Sequence, residues 1–184
     1  MKSDKYIIGL VGHTGSGKDT LAKLLVEALP AGAKSISFSQ VLREKILSPA
    51  GIEPTRENLQ KVGIEINREE FARTVYDYIQ EQPEDTCLLP GVRMEQDVEL
   101  IRSFPRNLLI AITTDDQLCF ERMKARNEKL GEATLTWEDF TELRRAPIEL
   151  QIGELMKQAD VTIHNDGTLE ELKEKVAALM PSII

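Results

Sequence analysis

The chain has 184 residues, of which 41% are hydrophobic and 29% charged, and its formal net charge is −8 at pH 7. This length is typical of one domain with a single hydrophobic core. The acidic balance argues against nucleic acid or a membrane surface as a partner, because both favour a basic protein face. No apolar stretch approaches the roughly 18 residues of a membrane span, and no signal peptide precedes the first predicted strand, so we expect a cytoplasmic protein.

The first predicted strand, Tyr6–Val11, leads directly into a glycine-rich stretch that ends in Gly-Lys-Asp-Thr, and an amphipathic helix follows. This order of strand, loop, lysine and helix predicts a phosphate-binding loop for a nucleoside triphosphate. Glycines let successive N–H groups face an anion, and the helix N-terminus adds partial positive charge. The residues predicted to bind the nucleotide are Gly12, His13, Thr14, Gly15, Ser16, Gly17, Lys18, Asp19 and Thr20.

One position of this loop is unusual. A Ser or Thr that holds Mg²⁺ normally follows the lysine, whereas here Asp19 follows it and the hydroxyl is displaced to Thr20. Two interpretations of Asp19 remain open. It orients Mg²⁺, or it only caps the first helix, where the helix dipole favours a carboxylate.

Apolar runs and helical patterns alternate along the rest of the chain, which is typical of a parallel sheet covered on both faces. Two capping boxes, Thr114 with Gln117 and Thr168 with Glu171, predict two helix starts. We therefore predict an α/β fold in which residues 1–184 form one domain. The predicted strands are Tyr6–Val11, Lys34–Phe38, Thr86–Leu89, Leu108–Thr113 and Asp160–His164.

Two regions fit such a core less well. Residues 38–83 carry three helical patterns with no strand between them, and residues 126–150 are charged with only short apolar groups. We interpret both as insertions on one face of the sheet that close over a substrate.

Taken together, the motifs resemble the adenylate-kinase-like and dephospho-coenzyme-A-kinase-like nucleotide kinases, and most closely the archaeal adenylate-kinase-related proteins. The resemblance implies a three-layer P-loop fold with strand order 2-3-1-4-5, an acceptor-binding insertion at 38–83 and a short lid at 126–150. It also implies ATP and Mg²⁺ as cofactors. The motifs that carry it are Gly12–Thr20, Ser37–Arg43, Glu53–Leu59, Gly91–Arg93, Thr136–Phe140, Ile152–Glu154 and Ala159–Lys173.

The resemblance also implies which residues bind the acceptor. The segment Ser37–Arg43 is similar to the segment by which adenylate kinases hold the acceptor nucleotide, so Ser37 and Arg43 would bind it. Arg93, at the end of the third strand, would be a second ligand of the acceptor phosphate. Guanidinium suits this role because its planar fork binds phosphate oxygens in pairs.

Further arginines are assigned to the donor side in the same way. Arg122 and Arg126 stand four residues apart on the helix predicted over Asp116–Arg126, so both face the same way. One would pack on adenine and the other would meet the donor phosphates. Either Arg144 or Arg145 would contact the transferring phosphoryl group. The predicted catalytic set is Lys18, Arg93, Arg122, Arg126 and Arg145.

The turn after the last strand would complete the donor site. Asn165 and Gly167 belong to a strong turn sequence, Asn-Asp-Gly, which explains the turn by itself. The resemblance adds that the backbone of this loop lines the adenine. We treat the structural and the binding interpretations as compatible.

The acceptor is inferred from what the chain lacks. Relatives place Asp before the glycine at the end of the third strand, where this chain has Pro90, and they place Gly-Asp where it has Ser39 and Gln40. A sugar hydroxyl needs a carboxylate to take its proton, whereas an anionic phosphate does not. We therefore expect ATP-dependent transfer to a nucleoside or deoxynucleoside monophosphate, by a monomer or homodimer. Transfer to a sugar hydroxyl is one alternative, and a non-kinase switch or slow ATPase with a protein partner is another.

Overall fold

A computed structural model describes residues 4–29, 33–126 and 132–183 of the chain. Its sheet has five parallel strands in the order β2-β3-β1-β4-β5. This confirms the α/β class, the parallel sheet and the strand order that the resemblance implied. The strands are β1 (Tyr6–Val11), β2 (Ala33–Ser35), β3 (Thr86–Val92), β4 (Arg106–Thr113) and β5 (Val161–His164).

Helices connect the strands and cover both faces of the sheet. Helix α2 continues directly into a π-helical segment, Leu42–Leu47. Within the described ranges, no helix is long and apolar enough to cross a membrane. The α-helices in chain order are α1 (Lys18–Ala28), α2 (Phe38–Val41), α3 (Arg56–Glu65), α4 (Arg68–Gln80), α5 (Glu95–Arg102), α6 (Asp116–Arg126), α7 (Trp137–Arg145), α8 (Pro147–Met156) and α9 (Leu169–Ile183).

The core consists of two apolar clusters, one on each face of the sheet. Alternation along β1 sends Ile7 into one cluster and Ile8 into the other, as the two-residue period of a strand requires. Helices α4, α5 and α8 pack on the first face, and helices α1 and α9 pack on the second. The three layers leave the carboxyl ends of the strands free at one edge, where ligands bind in open α/β sheets.

Two strand ends differ from the prediction. Strand β2 stops at Ser35 because Ser37 begins a helix, with its hydroxyl accepting the Gln40 N–H at 3.1 Å. Strand β3 runs past Pro90 to Val92. The register against β1 shifts after Pro90, so that Gly91, with φ of +90°, is the extra residue of a bulge. The predicted strand ended at Leu89, whereas the bulge carries β3 beyond Pro90 to Val92.

One predicted capping box is present and the other is wrong. Thr168 and Glu171 exchange backbone and side-chain hydrogen bonds of 2.9 and 3.2 Å before α9. Helix α6 begins where predicted, but Asp115 accepts its Gln117 N–H at 2.9 Å. The Thr114 hydroxyl instead donates to the Ser16 carbonyl at 3.0 Å, because the phosphate loop lies beside it.

The predicted insertions differ in how they join the core. Region 38–83 has the three expected helical segments, but its last helix, α4, buries Phe71 and Val75 in the core. In region 126–150, residues 127–131 lie outside the described part. Beyond them, Phe140 of α7 packs in a small cluster with Cys119 and Met123 of α6.

Candidate functional site

The loop between β1 and α1 has the backbone of a phosphate cradle. Gly15 and Gly17 have φ of +87° and +96°, in the left-handed region that favours glycine. A Cβ at Gly15 would lie 2.8 Å from the Cys119 carbonyl oxygen, and one at Gly17 would overlap the Asn165 side-chain amide. Gly17 precedes α1 with no side-chain cap, so the first N–H groups of α1 are left for a ligand.

A cavity of about 470 Å³ lies over this loop. Its size and position fit a small-molecule site at the carboxyl edge of the sheet. Five basic side chains line this cavity, and Asp19 is the acidic side chain among the described lining residues. The basic residues that line the cavity are Lys18, Lys23, Arg93, Arg122 and Arg126.

Lys18 spans the loop from inside. Its Nζ donates to the carbonyl oxygens of Gly12 at 2.6 Å and His13 at 2.7 Å. Burial, helped by the nearby charge of Arg93, lowers the pKa of Lys18 to about 8. A polyphosphate bound in the cavity would place negative charge beside this ammonium group and so stabilise its protonated form.

Arg122 and Arg126 both line this cavity, as their spacing on α6 predicted. Arg122 donates to the carbonyl oxygens of Asn165 at 2.8 Å and Gly167 at 3.2 Å. These three residues also line an adjoining cavity of about 290 Å³, which shares Gly17 with the first. Arg122, Arg126, Asn165 and Gly167 are thus brought together around two cavities that share lining residues.

The Asn165 side chain has a structural partner as well. It is only 7% exposed, and its Nδ2 donates to the Ser16 carbonyl at 2.9 Å. Because the Thr114 hydroxyl donates to the same oxygen, two later loops of the chain support this peptide of the phosphate loop.

A third cavity, of about 810 Å³, lies under α3 and α4 and shares Ser37, Gly91 and Arg93 with the first. The Arg93 guanidinium is exposed at this junction, and within the described ranges it forms no ion pair or hydrogen bond. Apolar side chains form much of the cavity wall. They are Phe38, Ile64, Phe71, Met94 and Ile148.

Arg68 and Asp97 also line this third cavity. The Asp97 carboxylate accepts the N–H groups of Arg93 at 2.9 Å and Met94 at 3.0 Å. Burial raises the pKa of Asp97, although these hydrogen bonds and the charges of Arg68 and Arg93 oppose it. The sequence did not single out Arg68, because it is the first residue of a run typical of an ordinary amphipathic helix, α4.

Two predicted arginines lie elsewhere. Arg43 is exposed on the π-helical segment and is absent from the described linings of all three cavities. Arg145 is exposed on α7 and is likewise absent from them. Ser37, in contrast, lines both the first and the third cavity.

The neighbour of Arg145 contacts the phosphate loop instead. Arg144 donates from Nη2 to the Thr14 carbonyl at 3.1 Å, from Nη1 to Glu149 at 3.1 Å and from Nε to Asp116 at 2.8 Å. It does not line the first cavity as described. The structure therefore places Arg144 against the outside of the loop.

Glu149 of α8 was also missed from sequence. It is 8% exposed, and its carboxylate accepts hydrogen bonds from the His13 ring at 2.7 Å and the Thr14 hydroxyl at 2.9 Å. The spacing of α8 could have indicated this residue. Glu149 stands three residues before the buried Ile152, so its carboxylate lies on the apolar face of the helix.

The charge of Glu149 settles the tautomer of its histidine partner. Burial alone would raise the pKa of Glu149, but hydrogen bonds from His13 and Thr14 and the charge of Arg144 outweigh it and lower the pKa to about 2. The carboxylate is therefore ionised and can only accept. His13 must then carry a proton on Nδ1 and donate it.

The residues present fit a magnesium ion bound largely through nucleotide and water. Among the described residues, no group of three or more His, Cys, Asp or Glu could hold a metal. The Asp19 carboxylate is exposed in the first cavity beside Thr20, in the first turn of α1, where the helix dipole also favours it. One or two protein oxygens plus phosphates is the usual Mg²⁺ arrangement at such sites.

Comparison with known proteins agrees with this geometry. The family model described as an AAA domain matches residues 11–140. A UPF0200 protein of Thermococcus gammatolerans is 32% identical, over 97% of this chain and 95% of that protein.

Two solved structures show the same fold. A shikimate kinase from Bacteroides thetaiotaomicron has a TM-score of 0.68 at 15% identity, covering 96% of this chain and 98% of that one. A gluconokinase from Sinorhizobium meliloti has a TM-score of 0.58 at 16% identity, covering 100% and 95%. The resemblance to P-loop kinases is thereby confirmed at the level of fold. By its sequence relatives, the chain belongs to the AAA-domain family and to the UPF0200 proteins.

Proposed function

We propose that this protein transfers the γ-phosphoryl group of Mg·ATP to a small acceptor that already carries a phosphate, with nucleoside and deoxynucleoside monophosphates as the favoured class. The observation that carries the proposal is the position of Arg93. Its guanidinium stands where the cavity over the phosphate loop meets the cavity under α3 and α4. An anion bound there lies between the two sites.

On the donor side, the loop N–H groups and Lys18 would bind the phosphates of ATP. Arg122 and Arg126 line the same cavity and would neutralise charge that develops during transfer. The adjoining cavity at Asn165 and Gly167 is the proposed place of the adenine. Asp19 and Thr20 would hold Mg²⁺, which supplies charge neutralisation at the phosphates when bound.

On the acceptor side, we propose that Arg93 binds the phosphate together with Ser37. Arg68 is the second arginine of that cavity, and it takes the role that the resemblance gave to Arg43. The apolar wall, including Phe38 and Phe71, suits a flat organic group such as a nucleobase. Phosphoryl transfer between such groups requires mainly positioning and charge neutralisation.

A second candidate rests on Asp97. A half-buried carboxylate with a raised pKa in the acceptor cavity is what a kinase acting on a hydroxyl group requires as a general base. Asp97→Asn distinguishes the two, because the amide oxygen can still accept the Arg93 and Met94 N–H groups. A phosphate acceptor tolerates this change within a few fold, whereas a hydroxyl acceptor loses roughly 10²-fold or more in kcat.

The test is ADP formation from Mg·ATP with a panel of nucleoside and deoxynucleoside monophosphates, dephospho-coenzyme A, shikimate and gluconate. We expect one or a few monophosphates to raise ADP formation by at least about a hundredfold over ATP alone, with the product carrying one more phosphate. Acceptor-independent hydrolysis, or no turnover with any compound, would overturn the kinase proposal and favour a nucleotide-binding switch.

A further inference from the structure

We infer that Arg144 is a positioning residue for the phosphate loop rather than a ligand of the transferring phosphoryl group. Held by Asp116 and Glu149, it fixes the Thr14 carbonyl and thereby presents the Gly15 N–H to the nucleotide. The inference rests on the nucleotide-binding half of the proposed function only.

The guanidinium of Arg144 is locked on all sides. Its Nε, Nη1 and Nη2 donate to Asp116, Glu149 and the Thr14 carbonyl at 2.8, 3.1 and 3.1 Å. The guanidinium carbon lies 4.7 Å from the centre of the Phe140 ring, and the side chain is only 13% exposed. Reaching a phosphate in the first cavity would break several of these contacts at once.

The charge of Arg144 is also already compensated. Two carboxylates, Asp116 and Glu149, contact one guanidinium, and the charge of Arg144 lowers the pKa of Lys18 less than the charge of Arg93 does. A residue that stabilises a developing phosphoryl charge needs the opposite arrangement. Arg93, whose guanidinium has no such partner among the described residues, has that arrangement at the cavity junction.

Peptide geometry connects this contact to the ligand. In a planar trans peptide the C=O and the following N–H point in opposite directions, and the described chain has no cis peptide. Because the Thr14 carbonyl points at Arg144 outside the loop, the Gly15 N–H points the other way, and Gly15 lines the first cavity.

A second peptide of the loop is held in the same manner. The Ser16 carbonyl accepts hydrogen bonds from Thr114 at 3.0 Å and Asn165 at 2.9 Å. The Gly17 N–H is thereby turned toward the cavity, which Gly17 also lines. Alternate carbonyls are thus fixed from outside, and the N–H groups that follow them form a preorganised cradle.

Glu149 holds both partners of the contact between Arg144 and Thr14. It accepts from Arg144 and also from the Thr14 hydroxyl, so the side chain and the carbonyl of Thr14 are tied to one ion pair. A preorganised loop avoids the entropic cost of ordering when a ligand binds. Loss of Arg144 should therefore weaken the binding of any nucleotide with a polyphosphate, before any chemistry occurs.

The experiment measures Kd for ADP and ATP by calorimetry on the full chain. The variants are Arg144→Gln and, as matched control on the same helix, Glu142→Gln at an exposed position. We expect Arg144→Gln to weaken ADP and ATP alike by roughly tenfold to a hundredfold, the range of one charge-assisted hydrogen bond. Glu142→Gln should bind both nucleotides as the parent protein does.

Asp116→Asn serves as a milder variant if Arg144→Gln unfolds, because it loosens only the Nε contact at an exposed carboxylate. It should weaken both nucleotides by a few fold. Unchanged Kd values with a large loss of kcat would overturn the inference and make Arg144 a transition-state residue, and unchanged binding with unchanged kcat would overturn it too. A parent protein that binds no nucleotide would instead contradict the proposed function.

Discussion

The ring of His13 donates a hydrogen bond of 2.7 Å to the carboxylate of Glu149, 136 residues further along the chain. One partner belongs to the phosphate loop and the other to helix α8, which is anchored in the core through Ile152 and Leu155. The loop that binds nucleotide is therefore tied to the rigid part of the molecule by a buried charge.

Glu149→Gln should change how stability depends on pH. In the folded protein the pKa of Glu149 is about 2, below its ordinary value of 4.5. The stabilisation is therefore complete above pH 4.5 and is lost as the pH falls toward 2. We expect the free energy of unfolding of the parent to fall more steeply over this range than that of the variant, by up to about 3 kcal/mol.

Chemical denaturation at a series of pH values measures this difference. Glu154→Gln, at an exposed position of the same helix, is the control and should follow the parent. Parallel profiles for the parent and Glu149→Gln would show that the carboxylate contributes no pH-dependent stability.

Nucleotide binding should take up a proton near pH 8.5. Burial lowers the pKa of Lys18 to about 8, and bound phosphates would raise the pKa again because they favour the charged form. Above pH 8 the lysine must therefore gain a proton on binding, and affinity for ADP should decrease as the pH rises. Calorimetry in two buffers of different protonation enthalpy measures the uptake.

At pH 6.5 the same titration should show no uptake from Lys18, which is already protonated there. Lys18→Arg provides a second control, because a guanidinium stays protonated at pH 8.5. If the parent shows equal apparent enthalpies in both buffers at pH 8.5, the pKa of Lys18 does not change on binding.

Gly17→Ala should abolish most nucleotide affinity and destabilise the fold. Position 17 combines φ of +96° with a Cβ site already filled by the Asn165 amide, so both backbone strain and overlap oppose a side chain. Gly51→Ala is the matched control, since Gly51 has φ of +68° but nothing within 4 Å of a Cβ. Gly51→Ala should lower the free energy of unfolding by the backbone strain alone, about 1 kcal/mol, and should bind ATP as the parent does.

Urea denaturation and ATP titration measure both effects. Equal stability losses in the two variants, together with intact ATP binding by Gly17→Ala, would mean that the contact with Asn165 is easily relieved.

Arg68→Gln should raise KM for the phosphate acceptor by about tenfold or more while leaving KM for ATP unchanged. Arg68 lines the acceptor cavity but not the cavity over the phosphate loop, and its Nη2 also donates to the Gly63 carbonyl at the end of α3. Its loss should therefore affect the acceptor side of the site and leave ATP binding intact. Arg73→Gln, at an exposed position of the same helix, should behave like the parent. Steady-state kinetics with the best acceptor of the panel checks this.

The same assay decides between two arginines. Arg43→Gln should leave both KM values unchanged, because Arg43 is exposed outside the described cavity linings. An acceptor effect at Arg43 with none at Arg68 would return the role to the residue that the resemblance indicated.

Local patterns were sufficient to predict the strand before the phosphate loop and the shared orientation of Arg122 and Arg126. The strand before the phosphate loop has the predicted bounds, Tyr6–Val11, because a buried central strand is a continuous apolar run. Arg122 and Arg126 line one cavity because a spacing of four places both on one side of a helix. In both cases neighbouring residues in the chain determine the outcome.

Contacts between segments that lie far apart in the sequence could not be predicted from local patterns. Thr114 has the sequence of a helix cap, yet its hydroxyl donates to Ser16, which lies 98 residues earlier. Arg144, and not Arg145, contacts the phosphate loop. Predicting this contact required knowing which side of α7 faces the loop. Asp115 caps α6 in place of Thr114 by accepting the Gln117 N–H. The Thr114 side chain is therefore free to make a tertiary contact without leaving the helix uncapped.

The bulge at Gly91 decides on which side of the sheet an arginine emerges. Cys87 and Leu89 belong to the cluster beneath α4 and α5, and Leu88 to the cluster beneath α1. Strict alternation would assign Val92 to the α1 side of the sheet, yet Val92 joins the cluster of Cys87 and Leu89. The extra residue of the bulge shifts the alternation of side chains by one position. A side chain at position 91 that resists a left-handed backbone would favour regular alternation, which would turn Val92 toward the α1 side of the sheet and the Arg93 guanidinium toward the apolar cluster beneath α4 and α5.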